Sequence, residues 1–221
     1  MTRTLRSIGY AGLMLVLGSV APVSAGVITL TNSTPGLFDA SSGTRSVTVT
    51  GAELGYDTGI ITDVNISINF AKADGEAFDA PYPGGTPFHN EIHFHLTGPS
   101  ATLVHLIEPN SWGAGSIQFD GTITFDDAGA LVVNFGPNPV AGTYRPTGPG
   151  TLGAYNGELA LGTWDLFIQD TVGADALRFR NFELEITTEA APVPEPASLL
   201  LLGSGIAGVL ARRKRRMSAA K

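Results

Sequence analysis

The chain has 221 residues, 43% of them apolar, with 28 glycines, 14 prolines, no cysteine and a formal net charge of −7. That apolar share is enough for a packed core and argues against disorder, while the missing thiols exclude cysteine nucleophiles, disulfide staples and cysteine-ligated zinc. All 20 acidic residues lie between Asp39 and Glu195, opposed there only by Arg45, Lys72, Arg145, Arg178 and Arg180, so the body repels phosphate backbones and nucleic acid is a poor partner.

Arg3 and Arg6 precede an apolar run from Ile8 to Val20, and Ala21-Pro22-Val23-Ser24-Ala25 follows. A basic start, a short greasy helix and small residues before a cut are what a signal peptidase reads, which places cleavage between Ala25 and Gly26. The run is short for an uncleaved membrane helix, and Pro22 ends it at the right place.

The segment from residue 26 to 190 reads as strands. Val64-Asn65-Ile66-Ser67-Ile68-Asn69-Phe70 alternates strictly, with its even positions facing a core. Similar period-two runs occupy Ser46–Thr50, Glu91–Leu96, Ser116–Phe125, Leu131–Phe135 and Thr163–Ile168, and no segment sustains a helical period. Asn138-Pro139, and then Arg145-Pro146 through Gly153, mark a long irregular turn region. In the last run Leu177 and Phe179 are apolar at odd positions, whereas Phe182, Leu184 and Ile186 are apolar at even ones. Both sets point inward only if one extra residue is inserted near Arg180-Asn181, so a β-bulge is expected there; the alternative turns Phe179 outward.

All four histidines fall between His89 and His105. His89, Glu91, His93 and His95 share parity and would line one face of an extended strand. A hairpin centred on Gly98-Pro99-Ser100 would set His93 opposite His105, close enough to share a metal or a hydrogen bond. His93, His95 and His105 are therefore the candidate transition-metal ligands, against the plainer reading of a polar, solvent-facing strand side. Carboxylates recur in glycine-containing loops at Asp74, Glu76 and Asp79, at Asp120, Asp126 and Asp127, and at Asp170 and Asp175. Hard oxygen donors in such loops suit Ca²⁺, although none has EF-hand spacing. No Gly-x-Ser-x-Gly elbow is present, and adjacent carboxylates such as Asp126-Asp127 point apart on a strand or turn, so no catalytic set emerges and no cofactor is required. Trp112, Trp164 and Tyr144 are candidates for stacking on sugar, though Trp164 shares parity with Leu166 and Ile168 and reads as core.

Glu91-Ile92-His93-Phe94-His95-Leu96, Thr97-Gly98-Pro99-Ser100 and Leu103-Val104-His105-Leu106 resemble the strand–turn–strand of P domains, also called P/Homo B domains, which accompany subtilisin-like proprotein convertases. Gly142-Thr143-Tyr144-Arg145-Pro146, Asn156-Gly157-Glu158, Gly162-Thr163-Trp164-Asp165-Leu166 with Asp170, and Leu177 through Leu184 continue the pattern over residues 89–186. Ala101-Thr102 departs from the family's usual Gly-Thr, and residues before Phe88 match poorly. The resemblance implies a jelly-roll-like β-sandwich, calcium at Asp170 and Asp175 as in some relatives, and no protease triad of its own.

The far end reads Val193-Pro194-Glu195-Pro196, then an apolar stretch over 197–210, then Arg212-Arg213-Lys214-Arg215-Arg216. At 1.5 Å per residue the apolar stretch spans about 21 Å, short of a hydrocarbon core of ~30 Å, so it suits a weak, temporary transmembrane helix. The arginines would stay cytoplasmic and leave the β domain outside. These three ordered parts resemble a PEP-CTERM sorting tail covering 191–221, against the plainer reading of a tail anchor with a proline hinge. That resemblance implies a Gram-negative cell, an exosortase-type membrane protease as partner, and transient anchoring in the inner membrane before release to the cell surface or extracellular matrix.

The expectation is an all-β, jelly-roll-like β-sandwich flanked by a signal helix (1–25) and a C-terminal transmembrane helix. It would act as a non-catalytic structural or binding module, with extracellular polysaccharide as a candidate partner. The alternatives are a metal-dependent or polysaccharide-acting enzyme, and an accessory domain for a separate subtilisin-like protease.

Overall fold

Valine, isoleucine and threonine dominate the alternating runs, and β-branched side chains pack well on a pleated surface. The computed structural model describes residues 25–55, 58–74, 86–113, 115, 117–133, 138–190, 203–210 and 212. The signal segment before Ala25, the Val193–Pro196 motif, the start of the apolar tail and nearly all of the basic end lie outside the described residues, as do Glu76 and Asp79. In chain order the strands are β1 (Gly26–Asn32), β2 (Gly36–Phe38), β3 (Ser41–Val49), β4 (Ile61–Lys72), β5 (Ile92–Thr97), β6 (Leu103–Ile107), β7 (Phe119–Phe125), β8 (Leu131–Val132), β9 (Gly142–Arg145), β10 (Gly162–Asp170) and β11 (Leu177–Thr188).

They form two sheets. One runs β1-β11-β4-β7-β9-β8, with β2 also on β11; the other runs β3-β10-β5-β6. The protein is thus an all-β sandwich, and residues 24–191 make one compact unit. Most pairings are antiparallel, but β9 runs parallel to both β7 and β8. This short strand lies inside the stretch read from its prolines as an irregular turn region. A single helical turn, Gly51–Leu54, was also not anticipated; Thr50 and Glu53 close it with a reciprocal capping box. In the tail, residues 203–210 are helical, and among the described residues no helix is long and apolar enough to cross a membrane.

The inner faces follow the expected parity. Val64, Ile66, Ile68 and Phe70 on β4 meet Ile92, Phe94 and Leu96 on β5 and Trp164, Leu166 and Ile168 on β10, all buried. Phe70 and Phe94 join the two sheets edge to face with ring centroids 5.3 Å apart. The polar atoms of the two large core aromatics are paired: Trp164 Nε1 donates to Ala160 O at 3.0 Å, and the Tyr155 hydroxyl donates to Leu96 O at 2.7 Å. Gly162 opens β10 at φ 127°, a left-handed conformation that disfavours other side chains, and a Cβ there would come within 2.8 Å of Pro99. The β6 edge is covered by the loop that follows β9, whose Thr147 and Gly148 amides donate to Leu106 O and His105 O.

The bulge on β11 is present. Phe179 pairs with Phe70 and Asn181 with Asn69, so Arg180 is the extra residue. Leu177 and Phe179 before it, and Phe182, Leu184 and Ile186 after it, are all fully buried. Arg180 itself leaves the core and grips Asp120 with two donors, at 2.5 and 2.8 Å. Deleting Arg180 should therefore turn Leu177 and Phe179 outward and cost ~3 kcal/mol or more. Arg180→Ala keeps the register and should cost no more than ~1 kcal/mol. Equal midpoints for the two variants in urea unfolding would contradict this account of the bulge.

Candidate functional site

The hairpin of β5 and β6 brings three histidines together in a register other than the one expected. His95, not His93, stands opposite His105, and a register shift separates His95 from Phe94. The turn is longer than a Gly-Pro-Ser centre implies: Gly98 N donates to Thr102 O, Ala101 N donates to Gly98 O, and Ala101 sits at φ 64°. The grouping survives because neighbouring and diagonal positions on one sheet face are all within side-chain reach. His93 Nε2 and His105 Nδ1 are 3.3 Å apart, with their rings stacked at 4°. His95 stacks on Phe167 with centroids 4.4 Å apart.

One ligand nitrogen from each of the three histidines falls within 4.8 Å of the others. Tetrahedral zinc with Zn–N of about 2.0–2.1 Å needs its nitrogens about 3.3 Å apart, a spacing that His93 and His105 already have, with His95 inside the 4.8 Å limit. Glu108 Oε1 lies 3.6 Å from His105 Nδ1, and Gln169 Oε1 lies 3.4 Å from His93 Nδ1, where it can fix the ring's orientation. Burial lowers the pKa of His93, and burial followed by the charges of His93 and His105 brings His95 down to about 4. Two of the three rings are thereby held neutral, the form that binds metals.

His89 and Glu91 do not share this face. They belong to a 3-10 turn (His89–Glu91) that precedes β5, so strand parity does not reach back to them. His89 is buried, with Nε2 2.9 Å from Ile117 O.

Asp170 and Asp175 do not join the histidines either. Asp170 follows Trp164, Leu166 and Ile168 on the core side of β10, whereas Gln169 and Phe167 face the histidines. The reason is the two-residue period of the strand. Both aspartates surround Lys72, the last residue of β4 and fully buried. Its Nζ is 2.6 Å from Asp170 Oδ2, 3.0 Å from Asp175 Oδ2 and 3.3 Å from Glu91 Oε2, and it donates to Asp175 O. A lysine ammonium thus sits between the two aspartates. Burial, then the charge of Asp175, pushes Glu91 up to about 7, and burial raises Asp170. This cluster was missed in the sequence although it left a trace. Lys72 and Asp170 each extend a core-facing run by one more step of two.

Asp120, Asp126 and Asp127 have protein partners. Asp127 accepts the Leu152 and Gly153 amides at 2.9 and 2.7 Å, Asp126 accepts the Ala128 amide, and Asp120 holds Arg180. Asp126 and Asp127 do diverge. Of the aromatic candidates, Trp164 is core, while Trp112 and Tyr144 are mostly buried and line a cavity of about 410 Å³ beside Leu131, Val132 and Val140.

The tail is decided by comparison. A family model described as the PEP-CTERM protein-sorting motif matches residues 192–216. The tail is a PEP-CTERM sorting signal. It marks the chain for export and for recognition by an exosortase-type membrane protease. No curated protein sequence matches the chain. Among solved structures, that of FlhE aligns at TM-score 0.37 and 11% identity, covering 76% of this chain and 99% of that one. The Aeromonas sobria serine protease in complex with the chaperone ORF2 aligns at TM-score 0.38 and 10% identity, over 78% of this chain and 28% of that one. A second structure of the Aeromonas sobria serine protease aligns at TM-score 0.36 and 9% identity, covering 77% of this chain and 28% of that one. These likenesses are too distant to carry a functional argument.

Proposed function

We propose that this protein is a structural or binding module of the cell envelope: a non-catalytic β-sandwich carried out of the cell, cut near Pro194-Glu195-Pro196 and left at the cell surface or in a polysaccharide matrix. The observation that carries this reading is the sorting signal at 192–216, placed directly after a sandwich whose last strand ends at Thr188. The acidic body keeps the module soluble and away from nucleic acid. Replacing Pro194-Glu195-Pro196 with alanines should leave a larger species in the membrane fraction. A variant of unchanged size and release would reject the proposal.

The histidine face supports a second reading, in which the module binds a divalent transition metal through His93, His95 and His105, for storage, scavenging or catalysis. Three ring nitrogens within 4.8 Å of one another on two adjacent strands favour it. Purified protein dialysed against zinc should retain stoichiometric metal, and His93→Ala/His95→Ala should lose it while unfolding at a similar temperature. Wild-type protein that retains none would leave the three rings as an ordinary polar strand face.

A further inference from the structure

The interior of the sandwich holds one lysine and three carboxylates that no role described so far uses. Lys72 is the only lysine between residues 26 and 190. It ends β4 in one sheet, Asp170 ends β10 in the other, and Glu91 stands just before β5 beside them. Lys72 and Asp170 are fully buried and Glu91 almost so. A solvated lysine is a poor nucleophile because it is protonated and hydrated. One enclosed among buried carboxyl groups and shielded from solvent is in the setting that activates an amine.

We propose that Lys72 and Asp170 form an intramolecular isopeptide bond, made by the folded chain on itself with Glu91 as the proton shuttle. Nζ passes a proton to the Asp170 carboxylate, leaving a neutral amine beside a neutral carboxylic acid. The amine lone pair adds to Asp170 Cγ. The Glu91 carboxyl protonates the departing hydroxyl and takes a proton from the new nitrogen. One C–N bond forms, one C–O bond breaks, one water leaves, and Glu91 ends as it began. No cofactor, oxidant or second protein is consumed.

Three features favour this partner and this step. Asp170 is the carboxylate nearest Nζ, at 2.6 Å, so folding itself delivers the reacting groups at contact distance, where effective concentrations reach about 10⁵–10⁸ M. Asp175 is held instead as an acceptor for the Phe88 amide. Glu91 Oε2, 3.3 Å from Nζ, reaches the reacting nitrogen, and its raised pKa of about 7 leaves it able both to give and to take a proton near neutrality. The product also replaces the buried Lys72–Asp170 ion pair by a neutral amide. For an exported domain without cysteine, such a link between residues 72 and 170 would tie the two sheets together as a disulfide otherwise might.

Peptide mass spectrometry of the purified full chain, denatured and digested with trypsin, tests the bond. Trypsin cuts after Arg45 and Arg178 but not at Arg145-Pro146, so Lys72 is the one cleavable site within 46–178. The expected product is 46–178 in one piece, uncut at Lys72 and lighter by one water than its sequence. Glu91→Gln should fold but remain unlinked. Asp170→Asn should form the same amide with loss of ammonia instead of water. A wild-type chain that unfolds cooperatively yet yields separate 46–72 and 73–178 peptides overturns the proposal. So does a missing water that maps to a succinimide at Asp74-Gly75 or Asp120-Gly121, or a link from Lys72 to Asp175.

Discussion

Side chains on a strand alternate between two faces, and this period of two governs nearly every assignment made for the protein. On β10 it sends Trp164, Leu166, Ile168 and Asp170 into the core while Phe167 and Gln169 face the histidines. On β4 it carries Lys72 inward behind Phe70. A single residue's shift would exchange the two chemistries, placing charge outside and imidazole inside. The bulge at Arg180 inserts a residue into β11 to keep the rule, and it lets Leu177 and Phe179 serve the same core as Phe182, Leu184 and Ile186.

That same constraint explains what could be read from the amino-acid order and what could not. The core runs, the bulge and the burial of Trp164 follow from parity alone. The grouping of His93, His95 and His105 was also visible, but their register was not, because it depends on how many residues the turn after Thr97 uses. The positive φ at Ala101, with no glycine to announce it, lengthens that turn. His89 and Glu91 were misplaced because a 3-10 turn breaks the alternation just before β5. The Lys72 cluster needs four segments, at residues 72, 91, 170 and 175, to converge at one end of the sandwich, and nothing local in any of them records the others.

Charge organises the chain at a larger scale. Bases are concentrated at the ends and acids in the body, in keeping with a domain delivered outward from a basic membrane-side tail. Inside the body the pattern inverts: the single lysine is enclosed by acids. The histidine face and the lysine cluster lie on opposite sides of the same four-stranded sheet. The chemistry facing solvent is therefore suited to an external ligand, and the chemistry facing inward to the integrity of the domain itself.

Paired covalent labelling of the folded protein addresses this inside–outside division most directly. An amine-reactive reagent and a histidine-reactive reagent are applied under native conditions, and the sites are mapped by peptide mass spectrometry. Parity predicts modification at His93 and His105 and full protection of Lys72. Native labelling of Lys72, with the histidines protected, would contradict the face assignment of both sheets.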